Sequence, residues 1–121
     1  MPTKITNVPD DLQHLFPLTP AVFFILFALA EGEKHGYAIM QEARAHTPMG
    51  PGTLYGSIDR LLAAGLIAET SPAQSVDHDP RRRYYRLTAS GSTALAAETQ
   101  RLQQSVARAR NKGIRPTEVS A

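Results

Sequence analysis

Pro51-Gly52-Thr53-Leu54-Tyr55-Gly56-Ser57-Ile58-Asp59-Arg60-Leu61-Leu62-Ala63-Ala64-Gly65-Leu66-Ile67 is the stretch that decides the fold, together with its continuation, after a polar interval, as Arg81-Arg82-Arg83-Tyr84-Tyr85-Arg86-Leu87. From Pro51 the apolar residues Leu54, Ile58, Leu61 and Leu62 fall at i, i+4, i+7 and i+8, one side of a helix. Gly65 suits the left-handed position that ends it. The spacing predicts a helix over about 51–64. Its opposite face then offers Thr53, Gly56, Ser57 and Arg60, small and mostly neutral, with Tyr55 at the flank. Leu66 to Thr70 and Arg81 to Leu87 read as the arms of a β-hairpin around the polar stretch Ser71 to Pro80. Alternation sets Arg82, Tyr84 and Arg86 on one face of the second arm and Arg83, Tyr85 and Leu87 on the other. One face can pack while the other displays cations and an aromatic, a combination suited to a phosphate surface. Arg83 is equally suited to a structural role, its stem on the core and its head on a carboxylate.

Upstream, Gly36 to Ala43 predicts a short amphipathic helix that ends by Thr47-Pro48. With the 51–64 helix it makes a helix-turn-helix reading, although many helical hairpins share the spacing. Thr19-Pro20 supplies a capping hydroxyl and a first-turn proline for an earlier helix. That helix is apolar almost all round (Val22, Phe23, Phe24, Ile25, Leu26, Phe27, Leu29), which implies burial by the core and by a second surface such as a subunit partner. Residues 1–17 read as an arm with a short helix around Asp10 to Phe16. Downstream, Thr88-Ala89-Ser90-Gly91 leads into a last helix reaching Arg110. Its apolar line of Leu95, Leu102, Val106 and Ala109 is thin, carrying Glu98 and Ser105 where a strong coiled coil wants apolar residues. Residues 111–121 are expected to be disordered.

A length of 121 residues fits one globular domain and excludes a large two-domain enzyme. The absence of cysteine excludes disulfides, thiolate catalysis and Cys-type metal sites. The most apolar run, Ala21 to Ala30, is too short to cross a bilayer, which needs about 20 residues. With no leader-like pattern at Met1-Pro2-Thr3-Lys4, a cytoplasmic location without membrane contact is expected. The net charge of +2 conceals an asymmetry: four Lys/Arg against nine Asp/Glu in residues 1–80, nine against two in residues 81–121. A basic cluster of this kind points to a polyanionic partner or to a solvated basic face. Asp77-His78-Asp79 lies on a loop, where neighbouring residues rarely converge on one ion, so neither metal nor other cofactor is expected. His14, His35 and His46 lack partners at ligand spacing, and His35 belongs to the turn leading into the Gly36 helix. No catalytic or nucleotide-binding motif is present, so no enzyme is expected.

Three motifs in order, Pro51-Gly52-Thr53-Leu54-Tyr55, Arg60 to Ile67 and Asp79-Pro80-Arg81 to Gly91, preceded by His35-Gly36-Tyr37-Ala38-Ile39, make the stretch from Leu18 to Ala97 resemble the PadR family of winged helix-turn-helix transcriptional regulators. The resemblance implies a mainly α fold with a small β-hairpin wing: an arm (1–17), a winged helix-turn-helix (18–87), a C-terminal dimerisation helix (88–110) and a tail (111–121). It also implies a homodimeric repressor that binds double-stranded DNA, with Thr53, Tyr55, Gly56, Ser57, Arg60, Arg81, Arg82, Arg83 and Arg86 at the DNA. Val22, Phe23 and Phe27 with Leu95, Leu102, Val106 and Ala109 would form the dimer interface. Phe23, Phe24 and Phe27 could line a site for a small aromatic or drug-like effector, and equally suit plain packing. One departure is Gly50, where the family often has a serine-like cap; glycine is tolerated there. The rival reading is a winged-helix adaptor that binds protein and not DNA, favoured by the nearly uncharged 51–64 helix and by Asp59 beside Arg60.

Overall fold

Thr19 caps the first helix as expected, its hydroxyl accepting the Val22 N–H at 3.2 Å. In the computed structural model, which describes residues 4–70 and 81–117, the elements run α1 (Pro20–Leu29), β1 (Lys34–His35), α2 (Gly36–Ala43), α3 (Pro51–Ala63), β2 (Ile67–Thr70), β3 (Tyr84–Leu87) and α4 (Ala89–Asn111). A 3-10 turn, Asp10–Leu15, precedes them and forms the helical part of the arm. The Gln13 side chain ties the arm to itself by bonding Ile5 N, Ile5 O and Val8 O at 2.8–2.9 Å.

The core lies among α1, α2, α3 and the sheet. Ile25, Leu26, Ile39, Leu54, Ile58 and Leu66 are its fully buried aliphatic side chains, each worth roughly 1.5–3 kcal/mol of apolar transfer. The sheet is antiparallel in the order β1-β3-β2. Lys34 and His35 pair with Tyr85 and Tyr84, and Ile67 to Thr70 pair with Leu87 to Tyr84. The expected hairpin therefore has a third strand, β1, which docks the start of α2 onto the second arm of the hairpin. Tyr85 turns inward and is buried, while Arg86 points out. Asp77-His78-Asp79 lies outside the described residues.

Two glycines stop helices by the same device. Gly65 takes φ +74°, its N–H reaching Leu62 O and that of Leu66 reaching Leu61 O. Gly113 takes φ +81° and repeats the pattern on Arg110 and Ala109. The α4 helix thus runs through Asn111 and ends in a defined cap, where the expected tail began at 111; residues 118–121 of that tail lie outside the described residues. At its other end Thr88 caps α4, and Gly91 packs so closely that a Cβ there would overlap Leu66 O.

The break in the α4 stripe has a purpose. Glu98 is buried and accepts the Leu18 N–H at 2.7 Å. Arg101 closes on the same carboxylate through Nε and Nη2, and this bonding raises the arginine pKa further. The start of α1 is thereby pinned to the middle of α4.

Candidate nucleic-acid interface

The inward stripe of α3 is Leu54, Ser57, Ile58 and Leu61, with Leu62 half-buried at its edge. Ser57 was expected on the outer face and is instead fully buried, because positions 54, 57, 58 and 61 form the narrow inward seam of a 3.6-residue helix. It meets no ligand from there; its hydroxyl accepts a long 3.4 Å bond from Arg60 Nη2. Down the middle of the outer face run Gly52, Gly56, Asp59 and Ala63, all exposed. A Cβ at Gly52 or Gly56 would meet nothing within 4 Å, so packing does not require glycine at either. What they leave is a flat strip of backbone that a partner can approach closely. Thr53 and Arg60 flank this row on one side and are exposed, and the first turn of α3 has no side-chain cap.

Tyr55 stands at the edge, 50% exposed. A Cβ on Gly36 would lie 2.9 Å from the Tyr55 hydroxyl oxygen, so the phenol rests against the first turn of α2. Beside it is a recess of about 430 Å³ lined by His35, Gly36, Tyr37, Tyr55, Arg81, Arg82, Arg83 and Tyr85. The sheet register makes this convergence: β1 holds His35 opposite Tyr84, which brings the arginines before β3 to the start of α2. His35 Nδ1 accepts the Ala38 N–H and caps α2, and Arg82 Nη1 lies 2.7 Å from its Nε2. Burial first, then Glu69, raises the Tyr85 hydroxyl above the ordinary tyrosine range; this phenol stays neutral and packs.

Of the expected contact residues, the structure therefore gathers Tyr55 with Arg81, Arg82 and Arg83. Arg83 is exposed, its Nε 3.7 Å from a Glu69 carboxylate oxygen, so it has a carboxylate partner without a buried stem. Arg86 is exposed on the strand and Arg60 lies farther along α3, both outside the recess. Sequence reasoning passed over Tyr37, 51% exposed on the recess wall; its place two residues after His35 at a helix start was the available signal.

On α1, Phe23, Phe24 and Phe27 contact one another at ring centroid distances of 5.1–6.4 Å, and His46 stacks on Phe24 at 4.6 Å. Phe27 is 43% exposed, so the cluster presents an apolar patch. Leu102 and Val106 of α4 are exposed too, with Leu95 and Ala109 half-buried. Among the described residues no helix is long and apolar enough to cross a membrane.

Residues 25–97 match the model of the transcriptional regulator PadR-like family. The chain is 37% identical over 81 residues to "Transcriptional regulator Rv3488" of Mycobacterium tuberculosis, covering 66% of this chain and 73% of that protein. It is 33% identical over 103 residues to an uncharacterized 37.1 kDa protein in transposon TN4556 of Streptomyces fradiae, of whose length it spans only 28% while 83% of this chain is covered. Among solved structures, a PadR family transcription regulator from Clostridium difficile superposes with a TM-score of 0.66 at 25% identity, covering 77% of this chain and 97% of that one. Bordetella bronchiseptica BpsR, whose DNA binding is regulated by 6-hydroxynicotinic acid, superposes with a TM-score of 0.56 at 26% identity, covering 82% and 68%.

Proposed function

Because the chain belongs to the PadR-like family of transcriptional regulators, which are not enzymes, we propose that it binds double-stranded DNA as a homodimer and acts as a repressor. The observation that carries this reading is the convergence of Arg81, Arg82 and Arg83 with Tyr55 of α3 on one recess at the first turn of α2, beside the exposed glycines Gly52 and Gly56 of α3. In this reading the strip around Gly52 and Gly56, with Thr53 at its edge, enters the major groove. Arg60 contacts guanine or phosphate at its edge, and Tyr55 with Arg81, Arg82, Arg83 and Arg86 holds the flanking phosphates. Ser57, being buried, has no part in it. Two such surfaces related by a twofold axis would meet successive turns of one duplex. The exposed apolar residues Phe27 on α1 and Leu102 and Val106 on α4, with Val22, Phe23, Leu95 and Ala109 half-buried on the same two helices, support a second copy as the partner that covers them. A small-molecule effector is part of the proposal, supported by the effector-regulated neighbour BpsR.

The test is retention of DNA from upstream of the encoding gene in a gel shift, against scrambled DNA, at rising salt. Specific retention that weakens steeply with salt is expected. A chain that retains neither DNA at modest salt is an adaptor and not a DNA-binding regulator.

A further inference from the structure

The arm lies outside the residues that match the family model, yet it builds one wall of a cleft of about 740 Å³ that α3 closes from the other side. This volume is within the roughly 300–1,000 Å³ of small-molecule sites. Leu12 and Leu15 from the arm, Leu18 just after it, Val22 from α1 and Leu61 from α3 make the walls aliphatic. Among the described residues no Phe or Tyr lines it, so these walls offer no platform for a flat ring. The walls are held in place without a ligand, by the Gln13 bonds within the arm and by the Glu98 bond to Leu18 N.

Among the described residues one strong cation reaches the cleft, Arg60. Among the described residues it has no carboxylate within ion-pair distance, only the long bond to Ser57. The arm brings Asp11 and His14, and the Thr19 hydroxyl is taken by the Val22 N–H. An acid head can therefore be held by Arg60 through a charge-assisted pair, while the carboxylate of Asp11 opposes a second negative charge in the same space. We propose that this cleft binds an aliphatic monocarboxylate, its chain against the leucines and its carboxylate on Arg60, in competition with DNA for that arginine. The second half rests on the DNA-binding reading; the first does not.

Calorimetric titration of the full chain with decanoate, below its micelle concentration and without DNA, tests the site. One saturable site per chain is expected. Arg60→Gln should weaken it about tenfold or more, the loss of one charge-assisted contact. Ala63→Trp, at an exposed position on the cleft, should abolish it with the unfolding midpoint and the oligomeric state unchanged. Sebacate, with an acid at each end, should bind at least tenfold more weakly than decanoate. Absence of saturable decanoate binding, or binding indifferent to both substitutions, overturns the site. An Ala63→Trp chain that changes oligomeric state assigns the cleft to a second copy and overturns it as well. In operator titrations, saturating decanoate should raise the apparent Kd of the natural chain and leave that of Arg60→Gln unmoved; an equal response of both overturns the competition. Failure to retain the operator even without decanoate refutes the DNA-binding reading alone, and the calorimetric outcome stands by itself.

Discussion

Replacing Arg81 and Arg82 together by alanine should change the salt dependence of DNA binding by an amount the recess geometry sets. Both guanidinium groups border the recess beside Tyr55, and Arg82 is held there by its contact with His35. Each arginine that neutralises a phosphate contributes about 0.9 to the slope of log affinity against log salt. Two arginines in each of two copies make up to four such contacts, so the slope should flatten by as much as roughly 3.6. Between 50 and 200 mM salt the natural dimer then loses about 150-fold more affinity than the variant. Arg83 contributes less to this slope, because Glu69, 3.7 Å away, already opposes its charge. Fluorescence anisotropy on operator and scrambled duplexes, at four salt concentrations, measures the slopes; the loss should be the same for both sequences. Arg108, which faces Lys4 to Thr6 of the arm and not the recess, is the control for net charge, and its alanine variant should shift the slope by well under one contact. An unchanged slope in the double variant, or a loss confined to the operator, would show that these arginines do not neutralise phosphates.

Three further substitutions separate stability from binding. Gly36→Ala should leave the urea midpoint level or slightly raised, since alanine is the better helix former. It should nonetheless weaken DNA binding about tenfold, a shift of roughly 1.4 kcal/mol, because its methyl displaces the Tyr55 phenol; binding equal to the natural chain would remove Tyr55 from the interface. Gly91→Ala forces a methyl onto Leu66 O and should cost about 3 kcal/mol in urea denaturation; a change under about 0.5 kcal/mol, the scale of a neutral surface substitution, would contradict the packing described. Glu98→Ala leaves the Leu18 N–H and the Arg101 guanidinium unpaired and should cost roughly 2–4 kcal/mol, with Glu98→Gln in between; equal stability of all three chains would mean that the carboxylate pins nothing.

The helix over residues 51–63 was legible because four apolar positions and a terminal glycine agree on one element, and the hairpin because its second arm alternates. Ser57 was misplaced for a physical reason: serine is small enough to sit on either side of a helix, and only the packing of α1 and the sheet against α3 fixes the phase. Strand β1 has two residues, too few for any periodicity, and exists because Lys34 and His35 meet β3 fifty residues later. Glu98 reads as a flaw in an apolar stripe until its partner, Leu18, is brought to it from 80 residues away. The arginine cluster was visible as charge, yet its direction was not: the ladder that carries Arg81, Arg82 and Arg83 toward Tyr55 is a property of register. The aliphatic cleft had no signature, since its walls come from three separate segments.

The distal half of α4 poses the last question of stability. Beyond Glu98 the helix continues for thirteen residues to Asn111, nearly all exposed, with only Arg101 and Ala109 half-buried. A solitary helix of that length is marginal in water, and the Gly113 cap adds a fraction of what is missing. Leu102 and Val106, one turn apart on the exposed surface, are what a second copy would bury, worth roughly 1.5–3 kcal/mol each. The dimer would contain two of each, so placing a carboxylate in the seam should break it. Leu102→Glu is therefore expected to sediment as a monomer at concentrations where the natural chain is a dimer, to keep its helix content up to Glu98 by circular dichroism, and to lose operator binding because one winged unit meets half as many phosphates. A Leu102→Glu chain that remains a dimer and grips the operator as before would place the twofold contact elsewhere, on the Phe27 patch of α1, and leave α4 to some other partner.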